Sequence, residues 1–392
     1  MKIESKLIHS GDRKKPGDYI PVTTPIHMSS SYFYDSMEQL DRVLGRQEPG
    51  QSYSRYDNPT SNALEELVTD LENGFGAVAC ASGMSAMHLA VLSALIDRPK
   101  RILAADVLYG ATTNMLLNVF AALGIESTFV DICDLPAIER AVAEFKPGTM
   151  IMETVSNPMM RVGEMDKIAA IGKRAGVTLI VDNTFSTPLL IRPLELGAAI
   201  SVHSATKYMA GHGDVLGGVV IADAEHFDCI KIISRNIGPV MGPFESYLTM
   251  RGIKTMGLRM ERHCSNASKV ASWLATHPQV ERVHFTGDPA HPDAATITRL
   301  FPKNLYGAMI SFELKGAGRA EVFRFMDRLK MIVRATSLGD VHTMTLYPAM
   351  ASHRDLSPKR RKRLGIGDNL VRLSIGIEAP EDIIEDLDQA LA

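Results

Sequence analysis

Seven short apolar runs recur between residues 76 and 223, and they constrain the fold of this chain more than any other feature. They are "GAVACAS" near residue 79, "RILAAD" near 103, "STFVD" near 129, "GTMIMET" near 151, "VTLIVDN" near 180, "AAISVHS" near 201 and "GGVVIAD" near 220. Helical stretches such as "MDKIAAIGKRAG" lie between most of them. Short strands that are apolar on both sides and alternate with helices predict an α/β fold, a mostly parallel sheet covered on both faces. Ligands of such sheets bind beyond the carboxyl ends of the strands. The residues just after each run are therefore where chemistry is to be sought.

The flanking regions have a different texture. "PVTTPIHMSSSYFYDS" and "SYSRYDNPT" read as an extended N-terminal arm with little core of its own, and helical patterning begins at "SNALEELVTDLEN". After about Leu258, "GAMISFELKG" and "NLVRLSIGIE" alternate apolar and polar residues, as half-exposed antiparallel strands do. "PEDIIEDLDQALA" then reads as an amphipathic closing helix starting after Pro380. The expected division is an arm over 1–58, a large domain over 59–257 and a smaller C-terminal α+β domain over 258–392. A chain of 392 residues is long enough for two cores.

Composition excludes several classes of function. With 45% hydrophobic and 22% charged residues and a net charge of −3, the chain has the balance of a soluble globular protein. Its one basic run, "SPKRRKRLG" (Ser357 to Gly365), reads as a solvated face, so no nucleic acid is expected. The uncharged stretch Asn73 to Ile96 contains Gly, Ser and His88, and reads as a buried strand, a turn and a helix, not a membrane span. Cys80, Cys133, Cys229 and Cys264 form no CxxC pair, and "MKIESKLIHSG" lacks the apolar core of a signal peptide. Both favour a reducing, cytoplasmic setting without a metal cluster.

Taken singly, the strand ends are ambiguous. "ACASGMSAMHLA" sets Ser82, Gly83 and Met84 between a strand and an apolar helix, where free amides form an anion site or simply a structural turn. It is neither a dinucleotide fingerprint nor a Walker motif. "VTLIVDNTF" ends on Asp182, which either caps a turn or serves a ligand; "IMETVSNP" leaves Asn157 equally open. "AADVLYGATT" offers Tyr109 as a core plug or as a face for a ligand. In "SVHSATK", Ser204 and Thr206 supply hydroxyls and Lys207 an amine, which is either a phosphate clamp or a nucleophile of depressed pKa. His203 and His212 lack the companions a metal would need.

Their sum is more specific than any part. An amine, an acid, an aromatic face, and amides with hydroxyls for a phosphate are what pyridoxal 5'-phosphate (PLP) asks of a protein.

With these residues in place, the chain resembles the PLP-dependent enzymes of cysteine and methionine metabolism. That family includes cystathionine γ- and β-lyases, methionine γ-lyases, cystathionine γ-synthases and O-acylhomoserine sulfhydrylases. The resemblance spans nearly the whole chain through "YSRYDNPT", "ASGMSAM", "VLYGAT", "ETVSNP", "VDNTF", "SATKYMAGHGDVLGG", "MRGIKTMGLRM", "TSLGD" and "VRLSIGIE". It implies a three-layer α/β/α fold of type I, as in aspartate aminotransferase. Lys207 matches the Schiff-base lysine and Asp182 the acid facing the pyridine nitrogen. Gly83, Met84, Ser204 and Thr206 match phosphate-binding positions, and Tyr109 the stacked ring that also serves as acid or base. Tyr53 and Arg55 match residues that reach a neighbouring subunit's phosphate, which implies a homotetramer of site-sharing dimers. Arg372 matches the arginine that holds the substrate amino acid's α-carboxylate, supported by Ser337 and Asn157.

Specificity positions depart from the family pattern. Ala111 stands where methionine γ-lyases often carry cysteine, and Thr336 where many cystathionine γ-lyases and γ-synthases carry glutamate. "SLGD" resembles methionine γ-lyases and some sulfhydrylases, while "SHRD" sets Arg354 and Asp355 near an expected entrance. The expectation is a carbon–sulfur lyase acting on methionine, cystathionine or a relative, giving a 2-oxo acid, ammonia and a thiol. The alternative is γ-replacement by a γ-synthase or sulfhydrylase. Intact Lys207, Tyr109 and Arg372 speak against a non-catalytic PLP-binding protein, and the missing glycine fingerprint against a nicotinamide dehydrogenase.

Overall fold

The structure, a computed structural model, describes residues 1–14, 18–354 and 356–392. All seven apolar runs are strands: β1 (Gly76–Cys80), β2 (Arg101–Ala105), β3 (Glu126–Val130), β4 (Thr149–Glu153), β5 (Thr178–Asp182), β6 (Ile200–His203) and β7 (Gly218–Ala222). They form one sheet in the order β1-β7-β6-β5-β4-β2-β3. Pairing is parallel from β6 through β5, β4 and β2 to β3, and β7 runs antiparallel to both β1 and β6. Six strands therefore share a direction and end on one edge. The parallel register places Glu153 opposite Asp182 and Asp182 opposite Val202, so three strand ends meet side by side.

Strands β1, β4, β6 and β7 are buried along their whole length, which is why they read as continuous apolar runs. The helices against them are built as their sequences specify. In Pro59–Glu72, the Asn58 side chain accepts from the Thr60 and Ser61 amides, Pro59 opens the first turn, and Asn73 closes the helix at φ 56°. Its buried Leu64, Leu67, Val68 and Leu71 each contribute roughly 1.5–3 kcal/mol of burial.

A second, five-stranded sheet comprises β8 (Val280–His284), β9 (Met309–Leu314), β10 (Val333–Arg334), β11 (Met344–Leu346) and β12 (Leu370–Ser374), in the order β10-β11-β12-β9-β8. One expectation is corrected here. β9 and β12 are buried almost throughout, not half exposed. Their polar residues face other protein groups in place of water. Arg372 donates to the Asn157 side chain, Ser374 Oγ accepts from Gly339 N, and Ser311 Oγ donates to Pro158 O. The alternation marks a face turned toward the first sheet's strand ends.

The arm is also less uniformly extended than its composition suggests. Helix Ile3–His9 anchors it by burying Leu7, and Met37–Leu44 forms a second short helix. Between them Tyr19, Val22, Met28 and Phe33 are largely exposed. The basic run forms helix Pro358–Arg363 with no buried residue, as a solvated face would. Among the described residues no helix is long and apolar enough to cross a membrane.

Candidate functional site

The carboxyl edge of the first sheet and the polar face of the second enclose a cavity of about 410 Å³, within the size range of ordinary cofactor pockets. Lys207 enters it from the turn after β6, where its amide donates to Ser204 O (3.1 Å). Thr206 Oγ1 locks that turn by accepting from Gly217 N (2.9 Å) and donating to Gly217 O (3.2 Å). Lys207 Nζ donates to Ser337 Oγ at 2.9 Å. Burial first, and the nearby Arg372 guanidinium second, lower the Lys207 pKa to about 8. Because both favour the neutral amine, its reactive fraction grows as pH rises through about 8, well below the range of a surface lysine. The rate at which cofactor-free protein is fixed by PLP and borohydride at Lys207 is thus expected to rise between pH 7 and 9. A midpoint near the ordinary lysine value would contradict this.

One end of the cavity is built for an anion. In helix Gly83–Ala94, a capping box between Ser82 and Ser85 satisfies those two amides. The first-turn amides of Gly83 and Met84 belong to the set that a helix leaves unpaired. Gly83 admits this approach because a Cβ there would lie 2.8 Å from Ser204 Cβ and 3.0 Å from its Cα. Ser204, Thr206, Gly83 and Met84 all line this part of the wall.

At the floor stands Asp182, its Oδ1 accepting from Thr184 N at 3.0 Å. Burial raises its pKa, opposed by the Thr184 hydrogen bonds and by His203. Beside it, Glu153 is pushed up to about 8 by burial and by the Asp182 charge. A cationic ring nitrogen facing Asp182 would relieve the cost of this buried acid pair.

The opposite wall carries Arg372 from β12. Nη1 donates to Asn157 Oδ1 (2.9 Å) and Nη2 reaches Ser337 O (3.4 Å). Burial lowers the Arg372 pKa to about 10. Its Nε has no hydrogen-bond partner among the described residues. A buried guanidinium with an open donor fits a substrate carboxylate. Tyr109 precedes helix Gly110–Asn114 at the mouth, 43% exposed.

The residues present therefore fit PLP: an amine of lowered pKa, an acid, an aromatic face and an anion cradle line one cavity. Lys207, Tyr109, Gly83, Met84, Asn157, Asp182, Ser204, Thr206, Arg372 and Thr336 all line it, and Ser337 joins through Lys207. Four candidates are not brought there by this single chain. Ala111 is half-buried outside the lining. Tyr53 is exposed, and Arg55 packs on Tyr53 and Tyr56 while donating to Arg235 O. Arg354 is exposed and does not line the cavity, and Asp355 lies outside the described residues.

Sequence reasoning missed other members. Glu153 carries a usable signal, a carboxylate ending an apolar strand, as Asp182 does. His353 is buried beside Arg372 and held neutral, its pKa pushed down to about 4 by burial and then by that guanidinium. The apolar wall of Phe185, Leu216, Leu338 and Leu346 is assembled from four separate segments and leaves no local pattern. Among the described residues no group of three His, Cys, Asp or Glu is arranged to hold a metal.

Comparison with known proteins gives the same chemistry. A family model described as Cys/Met metabolism PLP-dependent enzyme matches residues 4–392. A cystathionine gamma-lyase of Bacillus subtilis is 40% identical over 397 residues, covering 100% of this chain and 99% of the relative. An L-methionine gamma-lyase of Fusobacterium nucleatum is 40% identical over 387 residues, covering 98% and 96%. The crystal structure of cystathionine gamma synthase from Xanthomonas oryzae, with aminoacrylate and cysteine, superposes with a TM-score of 0.92 at 34% identity, covering 100% of this chain and 98% of that one.

Proposed function

This chain belongs to the Cys/Met metabolism PLP-dependent enzyme family, and from that premise we propose that it is a lyase eliminating the sulfur substituent of a methionine-like amino acid. It is a PLP-dependent enzyme acting on sulfur amino acids. The observation that carries the narrower reading is the composition of the cavity wall. Lys207 and Arg372 are the only basic side chains among the described residues lining it, and Phe185, Leu216, Leu338 and Leu346 supply an apolar part of the wall. A sulfur substituent without a second carboxylate suits that wall best. Thr336, which lines the cavity where many cystathionine γ-lyases and γ-synthases carry glutamate, supports the same choice. Gamma-replacement on an activated homoserine is the second reading, favoured by the likeness to a γ-synthase structure.

In this reading Lys207 would hold PLP through its aldehyde carbon, Asp182 would pair with the ring nitrogen, and Tyr109 would offer its aromatic face to the ring. Gly83, Met84, Ser204 and Thr206 hold the phosphate. The cofactor supplies an electron sink for charge left at the substrate α-carbon. Arg372, buttressed by Asn157, takes the α-carboxylate in a bidentate grip that lysine cannot reproduce. Once the substrate amine has taken its place at the cofactor, Lys207 Nζ, oriented by Ser337 Oγ, would be free to accept the α-carbon proton and carry it to neighbouring atoms, which its pKa near 8 suits. The Tyr109 hydroxyl hands a proton to the departing sulfur.

The exposed apolar residues of the arm, with Tyr53 and Arg55 outside their own cavity, support a dimer in which each arm completes a neighbour's phosphate site, two such dimers pairing into the homotetramer that the family resemblance implies. Four free cysteines support a cytoplasmic setting.

Incubation with L-methionine, L-cystathionine and O-acetylhomoserine, each with and without a thiol, tests the reading. The expected result is 2-oxobutyrate and a thiol from methionine without added thiol. A new thioether formed only from O-acetylhomoserine and thiol would overturn it in favour of replacement.

A further inference from the structure

Glu153 ends β4, which lies between β2 and β5, and it is 9% exposed. Each of its carboxylate oxygens holds a different strand-end turn. Oε1 accepts from Tyr109 N at 2.6 Å, and Oε2 accepts from Asn157 N at 3.2 Å. The first turn carries the aromatic face of the cavity. The second carries the amide oxygen that accepts from Arg372. The Asn157 turn is also tied by Ser156 N to Arg161 O (2.9 Å) and by Arg161 N to Ser156 Oγ (3.0 Å), so the Tyr109 turn depends on Glu153 the more. Tyr109 makes no side-chain cap to the helix it precedes. Its other side is closed by the loop at Ser352, whose carbonyl would lie 2.0 Å from any Cβ on Gly110. That loop limits how far the Tyr109 turn can move without specifying where it stops.

We propose that Glu153 is a positioning residue whose carboxylate clamps the Tyr109 turn and the Asn157 turn together, setting the ring that faces the cofactor in register with the arginine that binds the substrate carboxylate. The inference rests on the roles given above to Tyr109 and Arg372. A neutral glutamine of the same size keeps one acceptor oxygen, but its amide group opposes the other backbone N–H, so one turn is released. Alignment across the cavity is therefore lost while the volume at residue 153 stays filled.

The test uses holoenzyme of wild type, E153Q, E153D and R372A. Visible-region circular dichroism per bound PLP reports how the cofactor sits against Tyr109. The dissociation constant of glycine, which offers an α-carboxylate and no leaving group, reports Arg372 and Asn157. In E153Q the expected outcome is a dichroism band reduced at least twofold and glycine binding weakened about tenfold or more. E153D, which keeps both acceptor oxygens on a shorter side chain, restores part of each. Loss of PLP by E153Q with retention by E153D also supports the clamp. E153Q matching wild type in both measurements overturns it, as does a loss confined to thermal stability. Failure of both variants to fold overturns it too, since Glu153 would then serve the fold. Absence of a dichroism band in wild type, or wild-type glycine affinity in R372A, would instead sink the functional reading itself.

Discussion

Lys207→Ala is expected to reduce turnover by about four orders of magnitude or more. Two roles are lost together: the covalent hold on the cofactor and the group that moves the α-carbon proton. General acid–base catalysis alone contributes roughly 10²–10⁴-fold, and removal of the nucleophile adds to it. The fold should survive, because Lys207 is a partly buried amine whose one side-chain partner among the described residues is Ser337 Oγ, and burial already disfavours its ammonium form. Turnover of the best substrate, measured beside borohydride fixation and peptide mapping, reads both roles. PLP fixed at another lysine, or turnover within tenfold of wild type, would remove Lys207 from the centre of the mechanism.

Arg372→Ala is expected to raise KM by about 30- to 4,000-fold, the equivalent of roughly 2–5 kcal/mol for truncating one partner of a buried, hydrogen-bonded charge pair. The effect falls on KM more than kcat if the α-carboxylate is gripped equally in ground and transition states. Arg372→Lys should rescue little. A lysine amine cannot donate to Asn157 Oδ1 and also offer the planar fork that a carboxylate matches. Steady-state kinetics on all three proteins decide. Unchanged KM in Arg372→Ala would place the α-carboxylate elsewhere and release Asn157 from its supporting role.

The parts of the site that could be read in advance are those attached to strand ends. Asp182, Asn157, Tyr109, Gly83 and Lys207 each follow an apolar run, and a parallel sheet delivers every such residue to one edge. Glu153 belongs to the same class, since it ends the apolar run of β4 four residues before Asn157. The second sheet was harder. In "NLVRLSIGIE" the alternation is real, but whether the polar face meets water or protein depends on what lies above it. Arg372 faces the first sheet's strand ends through Asn157, and Ser374 accepts from Gly339 N. Ala111 and Thr336 were singled out together, yet only Thr336 lines the cavity. A helical turn directs the two side chains at positions i and i+2 to different faces, so Ala111 need not share the view of Tyr109.

By itself the sequence determined the parallel sheet, the edge on which chemistry gathers and the kinds of group gathered there. Those follow from periodicity and strand direction, which are local properties of the chain. Only the tertiary structure decided which groups touch. Lys207 meets Ser337 across 130 residues and Arg372 meets Asn157 across 215, and no local pattern encodes such a pairing. Burial decided the rest. The lowered pKa of Lys207 and the raised one of Glu153 arise because two sheets close over charges that, in an open chain, water would have solvated.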